Sequence, residues 1–311
     1  MLNLNKIVIL GGTGFIGSEL AAKMSKLSQN VTILTRDIES NKDLKLVPNI
    51  ELISCNINDE RVLKEKFKNT DLVVNAVGIL NESGDNTFKL LHYLLIKKIS
   101  TAMRINKVKR LLHISSLNAD IQAKSEYLRT KGKAEEYLLS ETRDFCNVTI
   151  FRPSIVFGYN DAFFNKFSTI LKFSLIFPLA CHNSKFMPIY IGDFTDFIIS
   201  TISNIKTYNT AIDATGPKEY TFREIIDTTL KILKIKRFVI PLNNTLSKIQ
   251  AYIFQRLPGK IFTMDNFKSL QVDSISTDGF KGTTAIEDIV PKYLNANDKF
   301  KGLRKKSGRI Q

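Results

Sequence analysis

The chain has 311 residues, of which 43% are apolar. It can therefore bury the core of one large α/β domain, or of a nucleotide domain with a smaller appendage, and general disorder is excluded. Three scattered cysteines without a CxxC pair exclude a disulfide framework. Three histidines without an HExxH or close ligand pair argue that no metal is bound. Lys and Arg number 45 against 30 Asp and Glu, a formal net charge of +15. That charge reads as diffuse solvated lysine, or as attraction to an anionic membrane surface or an acidic partner. No binding motif accompanies it, so nucleic acid is not an expected partner.

Met1 to Lys6 lead at once into the first strand, which leaves no room for a targeting peptide. No stretch offers about 20 uninterrupted apolar residues for a membrane span, so a cytoplasmic protein is expected. Ile7 to Leu10 read as a buried strand, and Gly11-Gly12-Thr13-Gly14-Phe15-Ile16-Gly17 follows, with a helical pattern from Glu19 to Leu27. Strand, glycine-rich turn and helix in that order are the entry of a dinucleotide-binding βαβ unit. Gly11 permits the tight turn, Gly14 lets the backbone approach a pyrophosphate, and Gly17 lets the helix pack on the strand. The N–H groups at the helix start then face the phosphates.

Val31 to Thr35 form the second strand, ending at Arg36-Asp37. A carboxylate at this place takes the ribose hydroxyls of NAD(H), whereas an arginine accommodates a 2′-phosphate. Arg36 therefore favours NADP(H), with NAD(H) as the alternative because Asp37 follows immediately; the plain alternative is an exposed pair that touches no ligand. Glu51 to Cys55 are the third strand, followed by Asn56 and Ile57. Leu72 to Ala76 are the fourth, where Ala76, Val77 and Gly78 leave space for the adenosine ribose. Thr87 to Asn106 suit a crossover helix. Arg110 to Ile114 make the fifth strand, ending at Ser115-Ser116, and His113 within it reads as a packed strand residue.

Ser125 to Glu141 read as a helix containing Tyr127 and Lys131, four residues apart on one face. An ammonium beside a phenol stabilises phenolate and lowers the tyrosine pKa from about 10 toward the range of a general acid–base. Ser116, with Ser115 as fallback, can hydrogen-bond the same substrate oxygen from the neighbouring strand end. Ser116, Tyr127 and Lys131 are thus the candidate catalytic residues. Val148 to Phe151 are the sixth strand, running into Arg152-Pro153-Ser154-Ile155. From Asp161 a segment crowded with Phe163, Phe164, Phe167, Phe173 and Phe177 reads as a core helix between domains, or as a greasy surface for a membrane or partner. Met187 to Ile191 and Ala211 to Ala214 are further strands. Thr221-Phe222-Arg223-Glu224 is a capping box. Leu246, Ile249, Ile253 and Leu257 form an apolar helical stripe, expected by default to pack on the domain, with an interfacial helix as the alternative. Lys299, Lys301, Arg304, Lys305, Lys306 and Arg309 make a basic tail with a single acid, Asp298.

The glycine turn, the Ser-Ser strand end and the Tyr-x-x-x-Lys helix resemble the extended or atypical branch of the short-chain dehydrogenase/reductase superfamily, which includes NAD-dependent epimerases and dehydratases. The resemblance implies an α/β fold, with a Rossmann-type doubly wound parallel sheet and a smaller C-terminal α/β lobe. It places an NAD(P)-binding domain at 1–160, a substrate or partner lobe interleaved with the core at 161–294, and the basic tail at 295–311. It implies that Tyr127 is the acid–base and that Lys131 also holds the nicotinamide ribose. Asn56 stands where an aspartate usually meets the adenine amine. The cofactor-contacting set it implies is Gly11, Thr13, Gly14, Phe15, Ile16, Gly17, Arg36, Asn56, Ile57, Ala76, Val77, Gly78, Tyr127, Lys131, Pro153, Ser154 and Ile155. Ile155 replaces an asparagine used by nucleotide-sugar enzymes, and Leu117-Asn118 replace the acidic pair of sugar dehydratases. Sugar-nucleotide chemistry is therefore disfavoured.

Asn75 to Leu80, His113 to Asp120, Ser125 to Lys131, Phe151 to Gly158, Asp161 to Phe167 and Pro188 to Asp193 together resemble, more specifically, the family of the nucleotide-binding accessory subunit of respiratory complex I and its bacterial relatives. That resemblance runs to about Leu294. It implies a tightly held NADPH in a structural or assembly role at the hydrophilic arm, near the membrane and the quinone site. Its partners would be hydrophilic-arm subunits of NADH:ubiquinone oxidoreductase, and its place peripheral on the cytoplasmic face of the inner membrane. The competing expectation is a free NAD(P)-dependent reductase or epimerase using Ser116, Tyr127 and Lys131.

Overall fold

A computed structural model describes residues 4–257 and 259–294. The basic tail expected at 295–311 lies outside the described residues.

The apolar, β-branched runs of the first half become short buried strands: β1 (Ile7–Leu10), β2 (Val31–Thr35), β3 (Ile50–Ser54), β4 (Leu72–Asn75), β5 (Arg110–Ile114) and β6 (Asn147–Pro153). With Thr210–Thr215 and Phe280–Lys281 they make an eight-stranded sheet. Its order is Phe280–Lys281, Thr210–Thr215, β6, β5, β4, β1, β2, β3. β1 is parallel to β2 on one side and to β4 on the other, pairing Ile9 with Ile33 and with Val74. β5 and β6 continue the parallel ladder, and so does Thr210–Thr215, which pairs with β6. β1 to β4 are thus the place where the winding reverses, as expected of a doubly wound sheet. Every residue of β1 and β4 is buried, because helices cover both faces of a parallel sheet.

The helices α1 (Phe15–Met24), α2 (Glu60–Lys66), α3 (Leu95–Ile105) and α4 (Glu126–Glu141) connect these strands. Leu63, Phe67, Leu95, Ile99, Met103 and Leu138 pack with Val8, Val73, Leu111 and Val148 of the strands in one core. The single crossover helix expected over 87–106 is in fact composite. A wide π-helical turn at Lys89–Leu94 precedes α3, and it buries the adjacent residues Leu91 and His92 together. Asp59 and Ser125 cap α2 and α4 by accepting from the N–H groups of Arg61 and Leu128.

The chain divides into two compact units. The first comprises, of the described residues, 4–153, 194–214 and 278–280, and within it Phe151 meets Phe194 and Phe197 edge-on while Phe197 stacks on Phe280 at 4.1 Å. The second comprises, of the described residues, 154–193, 215–277 and 281–294. α5 (Ala162–Phe173) contributes Phe164 and Leu171 to a core shared with Phe157, Phe177, Phe222, Ile226 and Val290. Phe163, Phe164, Phe167 and Phe177 of the phenylalanine-rich segment thus build the core of this second unit, whereas Phe173 is exposed. α6 (Ile191–Ser200) starts in the second unit, where the Asp193 carboxylate accepts from the N–H groups of Thr283 and Thr284 at 2.8 Å. α7 (Phe222–Leu233) opens with the full capping box of Thr221 and Glu224, as its sequence requires. α8 (Asn244–Phe254) and α9 (Met264–Ser269) follow, and residues 286–294 are helical.

The close fit of α1 on its entering strand yields a first prediction. A Cβ at Gly17 would lie 2.1 Å from the Gly11 carbonyl oxygen, a backbone atom that cannot rotate away. Gly17→Ala is expected to lower stability by about 2–3 kcal/mol through this clash, read from the urea midpoint. An unchanged midpoint would contradict the packing.

Candidate functional site

β1 and β4 are neighbours from which the chain departs in opposite directions, and ligands of doubly wound sheets bind outside the carboxyl ends of such strands. Three loops of the first unit meet there. Gly11 sits at φ +75°, and a Cβ on it would lie 2.7 Å from the Ala76 carbonyl carbon and 2.8 Å from the Val77 nitrogen. Only glycine lets the first turn press against the end of β4 in this way. The Gly14 N–H donates to the Gly11 carbonyl at 3.0 Å, closing the turn. Gly14 is also the N-cap of α1, where no side chain caps the helix. Its own Cβ position meets only the Gly11 oxygen at 3.3 Å, so the outer face of the turn is open. Uncapped first-turn N–H groups beside an open glycine face suit a phosphate group. Thr13, Phe15 and Ile16 are half-buried around this turn.

At the end of β2 the two candidate ribose readers are differently occupied. The Asp37 carboxylate accepts from the Ser40 N–H at 3.1 Å and from the Ser40 hydroxyl, bonds that hold it below the usual carboxylate range. Arg36 is exposed, and its Nη1 donates to Asn86 Oδ1 at 3.3 Å. Asn56 Oδ1 already accepts from the Asn58 N–H at 3.0 Å, leaving one lone pair toward any adenine amine. Ile57 and Val77 pack on the sheet core.

The second cluster of the first unit lies on α4. Lys131 is buried, and its Nζ donates to the Ile114 carbonyl at 2.9 Å. It lies 3.6 Å from the Cβ position of Gly78, which joins it to the end of β4. Burial pulls the Lys131 ammonium down to about 8, against the opposing charge of Glu135. Ser116 hydrogen-bonds the Tyr127 phenol, which lowers its pKa, but burial outweighs this and raises it above the ordinary tyrosine value. The structure therefore corrects the expected electrostatics. Tyr127 and Lys131 share a helix face, but the ammonium is turned to Ile114 and feels Glu135, and the phenol is not shifted toward neutrality.

Three residues that the sequence reading passed over complete this cluster. Glu135, one turn beyond Lys131, is buried; it accepts from the Ser115 hydroxyl and from Arg152, whose Nε lies at 2.8 Å. Ser115 is therefore committed to Glu135, which leaves Ser116 to face Tyr127. His92, brought in by the π turn, meets the Tyr127 ring edge-on at 5.5 Å. Its Nε2 accepts from the Ile79 N–H at 3.2 Å and its Nδ1 lies 3.1 Å from the Thr130 hydroxyl, an arrangement that requires the neutral Nδ1–H tautomer. Gly132 is the third. A Cβ there would fall 2.4 Å from the Asp120 carbonyl carbon, so only glycine lets the loop after Ser116 close on α4. A glycine inside a helix was the available signal. The spacing of Glu135 from Lys131 was another.

His113 is the packed strand residue expected of it. The Asn75 amide donates to its Nδ1 at 3.1 Å, while its Nε2 is buried without a hydrogen-bond partner among the described residues. Pro153 is buried at the end of β6, where its carbonyl accepts from the Leu117 N–H at 3.0 Å. Ser154 and Ile155 belong to the second unit, where the Ser154 hydroxyl donates to the Ser274 carbonyl at 2.8 Å and Ile155 accepts from the Ile189 N–H. Among the described residues no group of three His, Cys, Asp or Glu is placed to hold a metal ion. No described helix is long and apolar enough to cross a membrane.

Two buried histidines set the acid limit of this cluster. Burial pulls His92 down to about 2, and His113 well below the usual value. Below about pH 6.5 the unfolded chain binds protons that these folded imidazoles refuse. Stability therefore falls as pH drops, by about 1.4 kcal/mol per pH unit for each histidine. His92→Gln, which keeps an acceptor for Ile79, is expected to make the slope between pH 6 and pH 4 shallower by about that amount. An identical slope in urea titrations would contradict the assignment.

A family model described as NAD(P)H-binding matches residues 11–161, the span that holds the glycine turn and the α4 cluster. The chain is 24% identical over 305 residues to NADH dehydrogenase [ubiquinone] 1 alpha subcomplex subunit 9, mitochondrial, of Arabidopsis thaliana, covering 92% of this chain and 74% of that protein. It is 25% identical over 296 residues to the Dictyostelium discoideum protein of the same name, covering 92% and 79%. Among solved structures, a dTDP-glucose 4,6-dehydratase from Streptomyces venezuelae, solved with NAD bound, superposes with a TM-score of 0.73 at 14% identity, covering 96% of this chain and 98% of that one. The chain is thus similar along most of its length to the alpha subcomplex subunit 9 proteins of NADH dehydrogenase [ubiquinone], carries a segment that matches the NAD(P)H-binding family model, and shares the fold of the NAD-bound dehydratase.

Proposed function

We propose that the chain is an accessory or assembly subunit of a respiratory NADH:quinone oxidoreductase, in which it holds NADP(H) as a structural ligand. The observation that carries this reading is likeness to the subunit 9 proteins along 92% of the chain, with the glycine cradle included in the match. The residues fit a dinucleotide. Gly11, Gly14 and Gly17 would take the pyrophosphate, Ala76 to Gly78 the adenosine ribose, and Lys131 the nicotinamide ribose. Pro153, Ser154 and Ile155 would line the nicotinamide end.

The choice of NADP(H) over NAD(H) rests on the end of β2. Asp37 spends its carboxylate on Ser40, whereas Arg36 is exposed and propped by Asn86. A guanidinium held in this way suits a 2′-phosphate. The structural role is favoured by Tyr127. Its phenol is raised by burial, with His92 and Phe88 packed edge-on against the ring. A general acid–base works best with a pKa near the operating pH, and this phenol is displaced from it. In this reading the partners are hydrophilic-arm subunits near the quinone site, and the protein is peripheral at the cytoplasmic face of the membrane.

A second reading has its own observation. Ser116 and Tyr127 are hydrogen-bonded to each other, a pairing that a free reductase or epimerase would need. A bound nicotinamide would then supply or accept hydride, while Tyr127 moves the proton at the substrate oxygen and Ser116 positions that oxygen. Two substitutions separate the readings. In cells, Gly14→Val is expected to abolish dinucleotide retention and to reduce NADH:quinone activity several-fold, whereas Tyr127→Phe leaves that activity intact. The reverse pattern would make catalysis the better account. With purified protein, Arg36→Ala is expected to weaken NADPH binding about tenfold or more and leave NADH little changed, because a phosphate loses its charge-assisted bonds. Equal losses for both would remove the assignment of Arg36.

A further inference from the structure

Within the second unit, exposed apolar side chains gather in one place. At the end of α5, Phe173 is 88% exposed and Leu175 follows it. Ile176 pairs with Phe238 across two parallel strands, Ile176–Leu179 and Phe238–Pro241, and Phe238 is 76% exposed, with Ile240 beyond it. α8 is joined to the same strand. Gln250 Nε2 donates to the Pro178 carbonyl at 2.9 Å, the Leu242 N–H to the Leu179 carbonyl at 3.0 Å, and the Cys181 N–H to the Ser247 hydroxyl at 3.3 Å.

α8 packs by the face opposite to the one its pattern suggests. Its buried residues are the small Ser247 and Ala251. Leu246, Ile249, Tyr252 and Ile253 point outward and are about half exposed, as is Leu257 after the helix. Small residues let the helix lie close on residues 178–181, which leaves the large ones to solvent. Such an apolar surface, drawn from a helix and a strand pair together, exceeds the scattered exposed leucines of an ordinary monomer surface.

The ridge's own segments carry charge of one sign, and Asp227, the acid joined to its strand pair, is ion-paired with Arg223, which also donates to the Val239 carbonyl at 3.1 Å. No Asp or Glu occurs from residue 162 to 192, nor from 228 to 264, and every residue of the apolar ridge lies within these two stretches. The second stretch alone carries Lys234, Lys236, Lys248, Arg256 and Lys260 at exposed positions. The Arg256 guanidinium lies over the Tyr252 ring at 3.7 Å, at the edge of the apolar stripe. Large apolar side chains on segments that carry cations and no carboxylate of their own match the boundary between anionic headgroups and acyl chains.

We propose that this ridge is a lipid-binding surface. Phe173, Phe238, Ile249 and Ile253 enter the headgroup–acyl boundary of an anionic bilayer, and the flanking lysines and Arg256 lie over its phosphates. The surface rests on the peripheral placement proposed above and gives it a face, but it belongs to the second unit alone and requires no dinucleotide, so loss of vesicle binding would leave the nucleotide reading standing.

The chain contains no tryptophan, so a single introduced indole reports from one place. Full-length Ile249→Trp and Phe238→Trp are mixed with phosphatidylcholine vesicles containing about 30 mol% phosphatidylglycerol, an anionic surface. Both emissions are expected to shift to the blue and to be quenched by brominated acyl chains. Leu46→Trp, at an exposed position in the first unit, keeps its aqueous emission. Ile249→Glu with Ile253→Glu is expected to cut vesicle partition about tenfold or more, because carboxylates replace inserted side chains, with circular dichroism and dinucleotide affinity unchanged. Vesicle binding without a shift at positions 249 and 238 would mean adhesion through the basic tail or coverage of the ridge by protein, and would overturn the proposal. So would equal partition of the wild type and the double glutamate variant, or equal binding to pure phosphatidylcholine.

Discussion

The Gly11 carbonyl oxygen lies 2.1 Å from where a side chain at Gly17 would begin. This approach of one backbone segment to another is the constraint on which the site depends. It sets α1 down on the sheet so that the helix starts at the end of β1, with its first-turn N–H groups turned toward the crevice. The same Gly11 touches the end of β4, so one turn brings together strands that pair in the sheet but are separated by some 60 residues of sequence. Gly14 then has only to be empty. The phosphate site is thus a consequence of packing, achieved by leaving atoms out.

The α4 cluster is organised by the opposite means, through polar groups that are buried and satisfied. Lys131 leans on the Ile114 carbonyl and on the charge of Glu135, while Glu135 gathers Ser115 and Arg152. Removing one member of such a chain leaves an uncompensated buried charge, whereas keeping all of them fixes the helix face against the sheet edge. Two neutral histidines lie within reach of the Lys131 charge, and burial forbids either from becoming cationic. The result is a closely bonded set of polar groups that ties α4 to the end of β5. Burial holds the Tyr127 phenol above the ordinary tyrosine range, against the hydrogen bond with Ser116.

Local rules account for what the sequence disclosed. The glycine turn and the Thr221–Glu224 capping box are each written within a few residues, and each forms as its chemistry requires. What stayed hidden depends on contacts between distant segments. Periodicity over 87–106 predicts a helix but cannot show that a π turn carries His92 inward to Tyr127. The Tyr-x-x-x-Lys spacing predicts a shared face but not that Ile114 and Glu135 claim the ammonium. For α8 the pattern identified an apolar stripe correctly and could not say that Ser247 and Ala251 would be the residues buried. A stripe specifies a face, and only close packing elsewhere decides which face is covered.

The chain therefore joins a dinucleotide cradle, a shelf of buried polar groups and, in its second unit, an apolar ridge bordered by cations. Holding a nucleotide is the claim that unites the first two with the likeness to respiratory subunits. Native purification followed by mass spectrometry of the bound nucleotide and of the co-purifying proteins tests it most directly. The account predicts NADP(H) in roughly equal amount to the chain, together with subunits of an NADH:quinone oxidoreductase. A nucleotide-free chain, or a free monomer or dimer that turns NADPH over with a defined substrate, would contradict it.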